Sequence, residues 1–352
     1  MTPPKIKAGD FANTTFQQIS SLLQQNPEYY TIWNHRRRLL LDVFTKELAS
    51  GNNAVSETPT TQPGSAEQQR QPTLTLAQQE IAMLVKEDLQ FLIPLIKQYP
   101  KCYWIWNHRS WLLATATLHL PAQTALALWQ GELALDSKML ALDSRNFHAW
   151  DYRRRIVEEI ERLGEKSLVE QEFAYTEKMI QSNLSNFSAW HNRSMLIPRV
   201  LEERAASEES RRELFDKEIE MITTALYTDP YDQSLWSYHQ YLMSTLDPGS
   251  PVNQAEYTKT RKTAFLEPLA DEERVRYLEQ EIESVKEMLD GAEDCKYIYQ
   301  ALLEYSRRRI ELGGDVDEED TRKAMAGWLE ELKKLDPLRE GRWRDMERSM
   351  KL

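Results

Sequence analysis

Residues 143–157, DSRNFHAWDYRRRIV, decide the fold, because their pattern returns along the chain. Phe147 stands three residues before Trp150, Arg153 three after it, and Ile156 with Val157 close the motif. The same frame fits residues 26–40 (NPEYYTIWNHRRRLL), 99–113 (YPKCYWIWNHRSWLL) and 183–197 (NLSNFSAWHNRSMLI). Residues 229–243 (DPYDQSLWSYHQYLM) form a fifth copy, and DPLREGRW, ending at Trp343, is a degenerate one. With Trp33, Trp106, Trp150, Trp190 and Trp236 as anchors, the first four copies place Tyr30, Tyr103, Phe147 and Phe187 three residues before. They place Arg36, Arg109, Arg153 and Arg193 three after. Aliphatic residues six and seven positions beyond the anchor share its helical stripe. A weaker copy is expected in CKYIYQALLEY, with Tyr297 standing in for the tryptophan.

Each motif follows a second amphipathic stretch. Phe16, Ile19, Leu22 and Leu23 line one face before Pro27; Leu89, Leu92, Ile93 and Ile96 do so before Pro100, and Ile219, Ile222 and Leu226 before Pro230. Proline suits the turn between two helices. The unit is therefore helix, short turn, helix, at a period of roughly forty residues, as in helical solenoids. One such hairpin cannot bury its own apolar stripe, so neighbours stack, with tryptophan filling the space between layers. The recurrent arginine can fork hydrogen bonds to carbonyls or acids of the adjacent unit.

The expected fold is all-α: a single domain over residues 1–352, a right-handed superhelical solenoid of hairpins with a crescent shape. The long interval from Trp33 to Trp106 holds a Gly/Ser/Thr/Gln/Pro-rich segment, and residues 50–72 are expected to be a disordered insertion. DPGSPVNQAEY, from Asp247, is a second loop, and the charged stretches 202–213 and 315–320 are expected to face solvent.

Composition narrows the function. Of 352 residues 41% are hydrophobic and 28% charged, which supports a core under a solvated helical surface. A net charge of −12 argues against a nucleic-acid backbone binder. No apolar run reaches membrane-spanning length, and MTPPKIKAGDF lacks the apolar core of a signal peptide, so a cytoplasmic location is expected. Cys102 and Cys295 make neither a disulfide framework nor a zinc site. His35, His108, His148, His191 and His239 are spread through the copies, which favours structural or interface roles over a metal site.

The aromatic-x-x-W-x-x-R core resembles the prenyltransferase α-subunit repeat over nearly the whole chain. NFHAWDYRRR at 146–155, SNFSAWHNRS at 185–194 and DPYDQSLWSYH at 229–239 resemble the α subunit of Rab geranylgeranyltransferases. That resemblance implies hairpins wrapped around a separate β subunit in an obligate heterodimer. The β subunit would hold the catalytic zinc and the lipid pocket, and this chain would bind no cofactor. It would transfer geranylgeranyl from geranylgeranyl diphosphate, shared between the subunits, to C-terminal cysteines of a Rab GTPase presented by a Rab escort protein. The family usually has a helical stretch ahead of the first repeat, whereas this chain begins almost at Phe16; without extra domains it resembles the compact fungal form.

The resemblance also assigns Lys101, five residues before Trp106, to the lipid diphosphate, with Tyr103 beside it. A fixed ammonium would stabilise the charge that grows on departing pyrophosphate, and a helix N-terminus adds donors. On the residues alone, Lys101 also reads as a solvated lysine after a turn proline. Trp33, Asn34, Arg36, Trp106, Asn107, His108, Arg109, Trp150, Asp151, Arg153, Trp190, Arg193 and Trp236 are expected to build the repeats or meet the partner, since core packing and interfaces select the same residue types. Two other readings stand beside this one. One is an α subunit shared by CAAX farnesyl and geranylgeranyl transferases. The other is a non-enzymatic scaffold of the tetratricopeptide sort, although the period and the W-x-x-R core do not match that repeat.

Overall fold

A computed structural model of the chain describes residues 13–50, 74–250, 265–313 and 318–352. Nearly all of the proposed insertion at 50–72, and most of the loop after Asp247, lie outside them. Among the described residues the regular structure is helical, with no β-strand. Two compact units emerge, Met1–Leu168 and Val169–Leu352. The first holds α1 (Asn13–Gln25), α2 (Tyr30–Ala49), α3 (Leu76–Gln98), α4 (Tyr103–His119), α5 (Ala122–Leu142) and α6 (Phe147–Gly164). The second holds α7 (Val169–Ser182), α8 (Phe187–Glu203), α9 (Glu208–Thr228), α10 (Gln233–Thr245), α11 (Asp271–Glu287), α12 (Lys296–Glu311), α13 (Glu318–Leu335) and α14 (Glu340–Met350).

Helices pair in sequence as hairpins, from α1 with α2 to α13 with α14. In the first unit the second helices also stack on one another, α2 on α4 and α4 on α6; in the second, α8 packs on α10 and α10 on α12. The three turn prolines fall between helices as expected: Pro27 before α2, Pro100 before α4, Pro230 before α10. Pro94 and Pro198 instead lie inside α3 and α8, near the C-terminal ends of those helices.

All five anchor tryptophans are buried, and each indole N–H donates to the carbonyl six residues back. The pairs are Trp33 to Pro27 (2.7 Å), Trp106 to Pro100 (2.9 Å), Trp150 to Ser144 (2.9 Å), Trp190 to Leu184 (2.8 Å) and Trp236 to Pro230 (2.6 Å). The anchor therefore fills the core and also satisfies a turn carbonyl that the helix cannot reach. Trp343 repeats the device, donating to Asp336 O at 2.9 Å, and packs with Leu329, Leu332 and Met325. In α12 the substitute anchor is Tyr299, not Tyr297. Tyr299 is buried and its hydroxyl donates to Glu293 O at 2.7 Å, again six residues back, while Tyr297 is only half-buried.

The same turn carbonyls accept a second bond from the next hairpin. Cys102 Sγ donates to Pro27 O (3.5 Å), Asn146 Nδ2 to Pro100 O (3.0 Å) and Cys295 Sγ to Pro230 O (3.0 Å). All three donors occupy the N-cap of their helix, four residues before the anchor. Both lone pairs of these carbonyls are thus used, which ties turn to turn along the stack. Burial pushes the Cys102 thiol up to about 11, so it stays protonated and able to donate. Cys102→Ala should lower stability by about 1 kcal/mol. Cys102→Asn, which copies the solution at Asn146 and adds a better N-cap, should retain or exceed wild-type stability. Equal urea midpoints for Cys102→Ala and wild type would show that the thiol bond is idle.

Candidate functional site

The second helices of the first unit present an aromatic ridge at their N-terminal ends. Tyr30, Tyr103 and Phe147 are about half exposed or more, so the residue three before the anchor is not core. Their rings are linked through neighbours: Tyr30 lies 5.5 Å from Trp104, Tyr103 5.2 Å from Trp104 and 6.3 Å from His148, and Phe147 4.1 Å from His148. A first-turn side chain projects past the end of its helix, which takes these rings out of the interior although their spacing from the anchor is helical. Exposed aromatics with an apolar body and a polar edge are the usual material of an interface.

Lys101 stands beside this ridge, in the turn between α3 and α4, with its side chain 73% exposed and Nζ 3.7 Å from Asp143 Oδ2. Exposed pairs of this kind contribute about 0–1 kcal/mol, so the ammonium can leave Asp143 for a stronger anion. Below it α4 begins with Cys102 at the N-cap, whose side chain makes no capping bond to the helix. The comparable starts of α6 and α8 are closed by Asn146 and Asn186, which accept from His148 N and Ala189 N. A helix start without a side-chain cap bond, next to an exposed ammonium, is suited to a phosphate-like anion.

The other predicted residues divide between surface and core. Asn34 and Asp151 are exposed, and Asp151 pairs with Arg154 at 3.0 Å. Asn107 is half-buried and accepts from Arg37 at 3.1 Å. The five tryptophans, the four arginines and His108 are buried within the repeats.

Those arginines meet partners that sequence reading overlooked. Arg109 Nε and a terminal nitrogen grip both oxygens of Glu132 at 2.9 and 2.5 Å, while its other nitrogen donates to Leu89 O at 2.9 Å. Tyr152 completes the joint with its hydroxyl 2.7 Å from Glu132. Arg193 does the same with Glu218 at 2.8 and 2.6 Å, with Tyr238 at 2.6 Å. Arg36 grips Asp88 and donates to Ser20 at 2.8 Å, and His108 takes the tyrosine's place 2.7 Å from Asp88. In the fifth copy His239, three residues after Trp236, replaces the arginine and joins Glu281 (2.7 Å) to Tyr305 (2.8 Å). Arg153 bonds Asp136 (3.3 Å) and Ser137 (3.0 Å) of its own hairpin.

Each joint is thus a cation or His239 from one hairpin, a buried carboxylate from the first helix of the next, and, in all but the last, a tyrosine or histidine two residues after that hairpin's anchor. Asp88, Glu132, Glu218 and Glu281 all stand 18 residues before Trp106, Trp150, Trp236 and Tyr299, and buried Glu172 keeps the same distance from Trp190. That recurring acid was the signal available in the sequence. Burial opposes ionisation of Asp88, but the His108 bond and the Arg36 charge outweigh it and hold its pKa down at about 2.

The second unit has a cleft of about 640 Å³ between α7 and α9, where Ile180, Leu184 and Met221 meet Lys217, Glu177 and Glu220. Among the described residues no three His, Cys, Asp or Glu side chains stand in metal-binding arrangement, and both thiols are spent on backbone carbonyls. No described helix is long and apolar enough to cross a membrane.

Comparison with known proteins agrees with this architecture. The protein prenyltransferase alpha subunit repeat is matched at residues 13–42, 85–116, 129–160, 169–200 and 215–246. A solved structure described as Candida albicans protein geranylgeranyltransferase-I complexed with GGPP is similar in fold alone, with TM-score 0.58 and 16% identity over 98% of this chain and 87% of that one. The chain is 36% identical over 246 residues to the geranylgeranyl transferase type-2 subunit alpha of Saccharomyces cerevisiae, covering 70% of this chain and 63% of that protein. The human protein of the same name is 33% identical over 246 residues, of which this chain spans only 36%. That of Schizosaccharomyces pombe is 31% identical over 345 residues, 97% of this chain and 86% of the relative. With a relative matched along almost its full length and the repeat matched five times, this chain belongs to the family of geranylgeranyl transferase type-2 α subunits.

Proposed function

We propose that this chain is the α subunit of a heterodimeric, cytosolic Rab geranylgeranyltransferase, inactive alone, and that its partner β subunit carries zinc and the lipid pocket. The observation that carries the reading is the near full-length likeness to the Schizosaccharomyces pombe type-2 α subunit. The exposed aromatic ridge and the start of α4 beside Lys101, without a side-chain cap bond, support it. In this reading the ridge from Tyr30 to Phe147 seats the β subunit, and Lys101 reaches across to the diphosphate of geranylgeranyl diphosphate. The ammonium contributes charge where the leaving pyrophosphate becomes most negative, and the positive end of α4 acts at the same point. Tyr103 offers a phenol at the mouth of the site. The acceptor is the C-terminal cysteines of a Rab GTPase held by an escort protein.

The test is co-expression with prenyltransferase β subunits of the type-2 and CAAX classes, followed by capture and a lipid-transfer assay. Stable capture of the type-2 β subunit, with geranylgeranyl transfer to an escorted Rab, is the expected result. Capture of a CAAX-class β subunit alone would move the chain to the shared-subunit reading. Turnover by this chain purified by itself would end the proposal.

A further inference from the structure

Position two after the anchor is filled by Tyr152 at the joint with Arg109 and by Tyr238 at the joint with Arg193, but by His108 at the joint of the first two hairpins. His108 is fully buried between the rings of Trp33 and Trp111, whose centroids lie 5.0 and 5.4 Å from its own. Its Nε2 lies 2.7 Å from Asp88 Oδ2, and its Nδ1 lies 3.3 Å from Nε of Arg37. A guanidinium nitrogen can only donate, so Nδ1 must accept and the single ring proton sits on Nε2. The geometry therefore assigns the neutral imidazole.

The charged groups acting most strongly on this ring are Arg36 and Arg37 from α2 and Asp88 from α3. Adding a proton at Nδ1 would set donor against donor and cation against cation. Three positive groups would then share one carboxylate, whose two oxygens are already divided between Arg36 and Nε2. Burial acts in the same direction, lowering His108 below its ordinary 6.5, and Asp88 opposes without prevailing. The tyrosine joints meet no such conflict, because burial and the adjacent carboxylate hold Tyr152 and Tyr238 protonated well above 10. The joint at His239 differs too: the Tyr305 hydroxyl facing its Nδ1 can either donate or accept.

We propose that the joint between the first two hairpins is an acid-sensitive hinge, in which protonation of His108 expels Arg37 and loosens α2 from α4. Arg37 also holds Asn107 at 3.1 Å and lies over the Trp111 ring at 5.5 Å, so its release frees three contacts between those helices together. The same two helices carry Tyr30, Tyr103 and Trp104, so mild acid would disturb that ridge. The inference stands on this chain's own packing and holds whether or not the transferase reading does.

The sign follows from linkage. A histidine whose folded pKa lies below its unfolded one stabilises the fold above 6.5, and that stability drains away as pH falls toward the folded value. Asp88 stays ionised down to about 2, so at this joint only the histidine titrates in mild acid. Between about pH 7.5 and about pH 5.5 the full chain should lose about tenfold more of its folding constant than His108→Tyr, which installs the tyrosine of the other joints. Arg37→Gln, which removes the opposing charge, should also shrink the loss. Urea unfolding at both pH values reads these differences. Identical losses in wild type and both variants would overturn the proposal. Should His108→Tyr fail to fold, the ring's own NMR titration decides: a midpoint at or above 6.5 in the wild type refutes the hinge, and a lower one that rises in Arg37→Gln supports it.

Discussion

Glu132→Ala should destabilise the chain by about 3–5 kcal/mol, because it strips the carboxylate from a buried arginine. Arg109 is 1% exposed and its charge is held by both oxygens of Glu132. Burial alone would push the guanidinium toward neutrality, but Glu132 more than offsets this and keeps it charged. Without the acid, that charge keeps only the neutral Leu89 carbonyl and Tyr152 hydroxyl beside it, and the hydroxyl loses its acceptor as well. Replacing both partners is the informative control. Arg109→Met with Glu132→Met removes the stranded charge and should lose clearly less than Glu132→Ala, retaining a deficit of about 1–3 kcal/mol from the orphaned Tyr152 hydroxyl. Urea midpoints at neutral pH, with unchanged slope, give both values. A loss below about 1 kcal/mol for Glu132→Ala would mean that solvent reaches the joint and that the pair does not lock one hairpin to the next.

That lock was half legible in the sequence. Arg109 announced itself by a fixed distance from Trp106, since both ride on one helix and helical geometry makes their offset rigid. Glu132 lies on α5, across a turn from Trp150, so its fixed distance appears only when acids are counted back from the following anchor. The misplacement of the α12 anchor has the same origin. Matching Tyr297 to the tryptophans by aromatic content ignored Cys295, which stands four before Tyr299 as Cys102 stands four before Trp106. The N-cap fixes the register, because its side chain must reach the preceding turn. The ridge was the least legible part. Periodicity groups Tyr103 with Trp106 on one stripe, yet the first helical turn has no preceding turn to lie against, so the ring is 54% exposed. Whether a stripe residue is core or surface depends on where its helix starts, and a turn proline locates that start only to within a few residues.

Lys101→Ala, assayed in the heterodimer at saturating lipid, should lower the rate of transfer by about 10²–10³ while leaving assembly intact. The ammonium sits on a turn whose backbone is fixed by the bond from Cys102 N to Tyr99 O at 3.0 Å, so the side chain is delivered to one place although its tip is free. It packs against nothing that the fold needs, and removing it should shift the urea midpoint within about 0.5 kcal/mol. A group that stabilises only the departing diphosphate should act on kcat far more than on KM, whereas one that merely attracts the polyanion should act on KM alone. Lys101→Arg keeps the charge on a longer, planar head and should recover only part of the rate, because the proposed contact calls for a point charge at the end of a flexible stem. Asp143→Asn offers the complementary measurement. It frees the ammonium from its exposed partner and should leave kcat within about twofold of wild type, since that pair is worth little in water. Wild-type kcat in Lys101→Ala would remove the lysine from the chemistry and reduce the ridge to a surface for assembly.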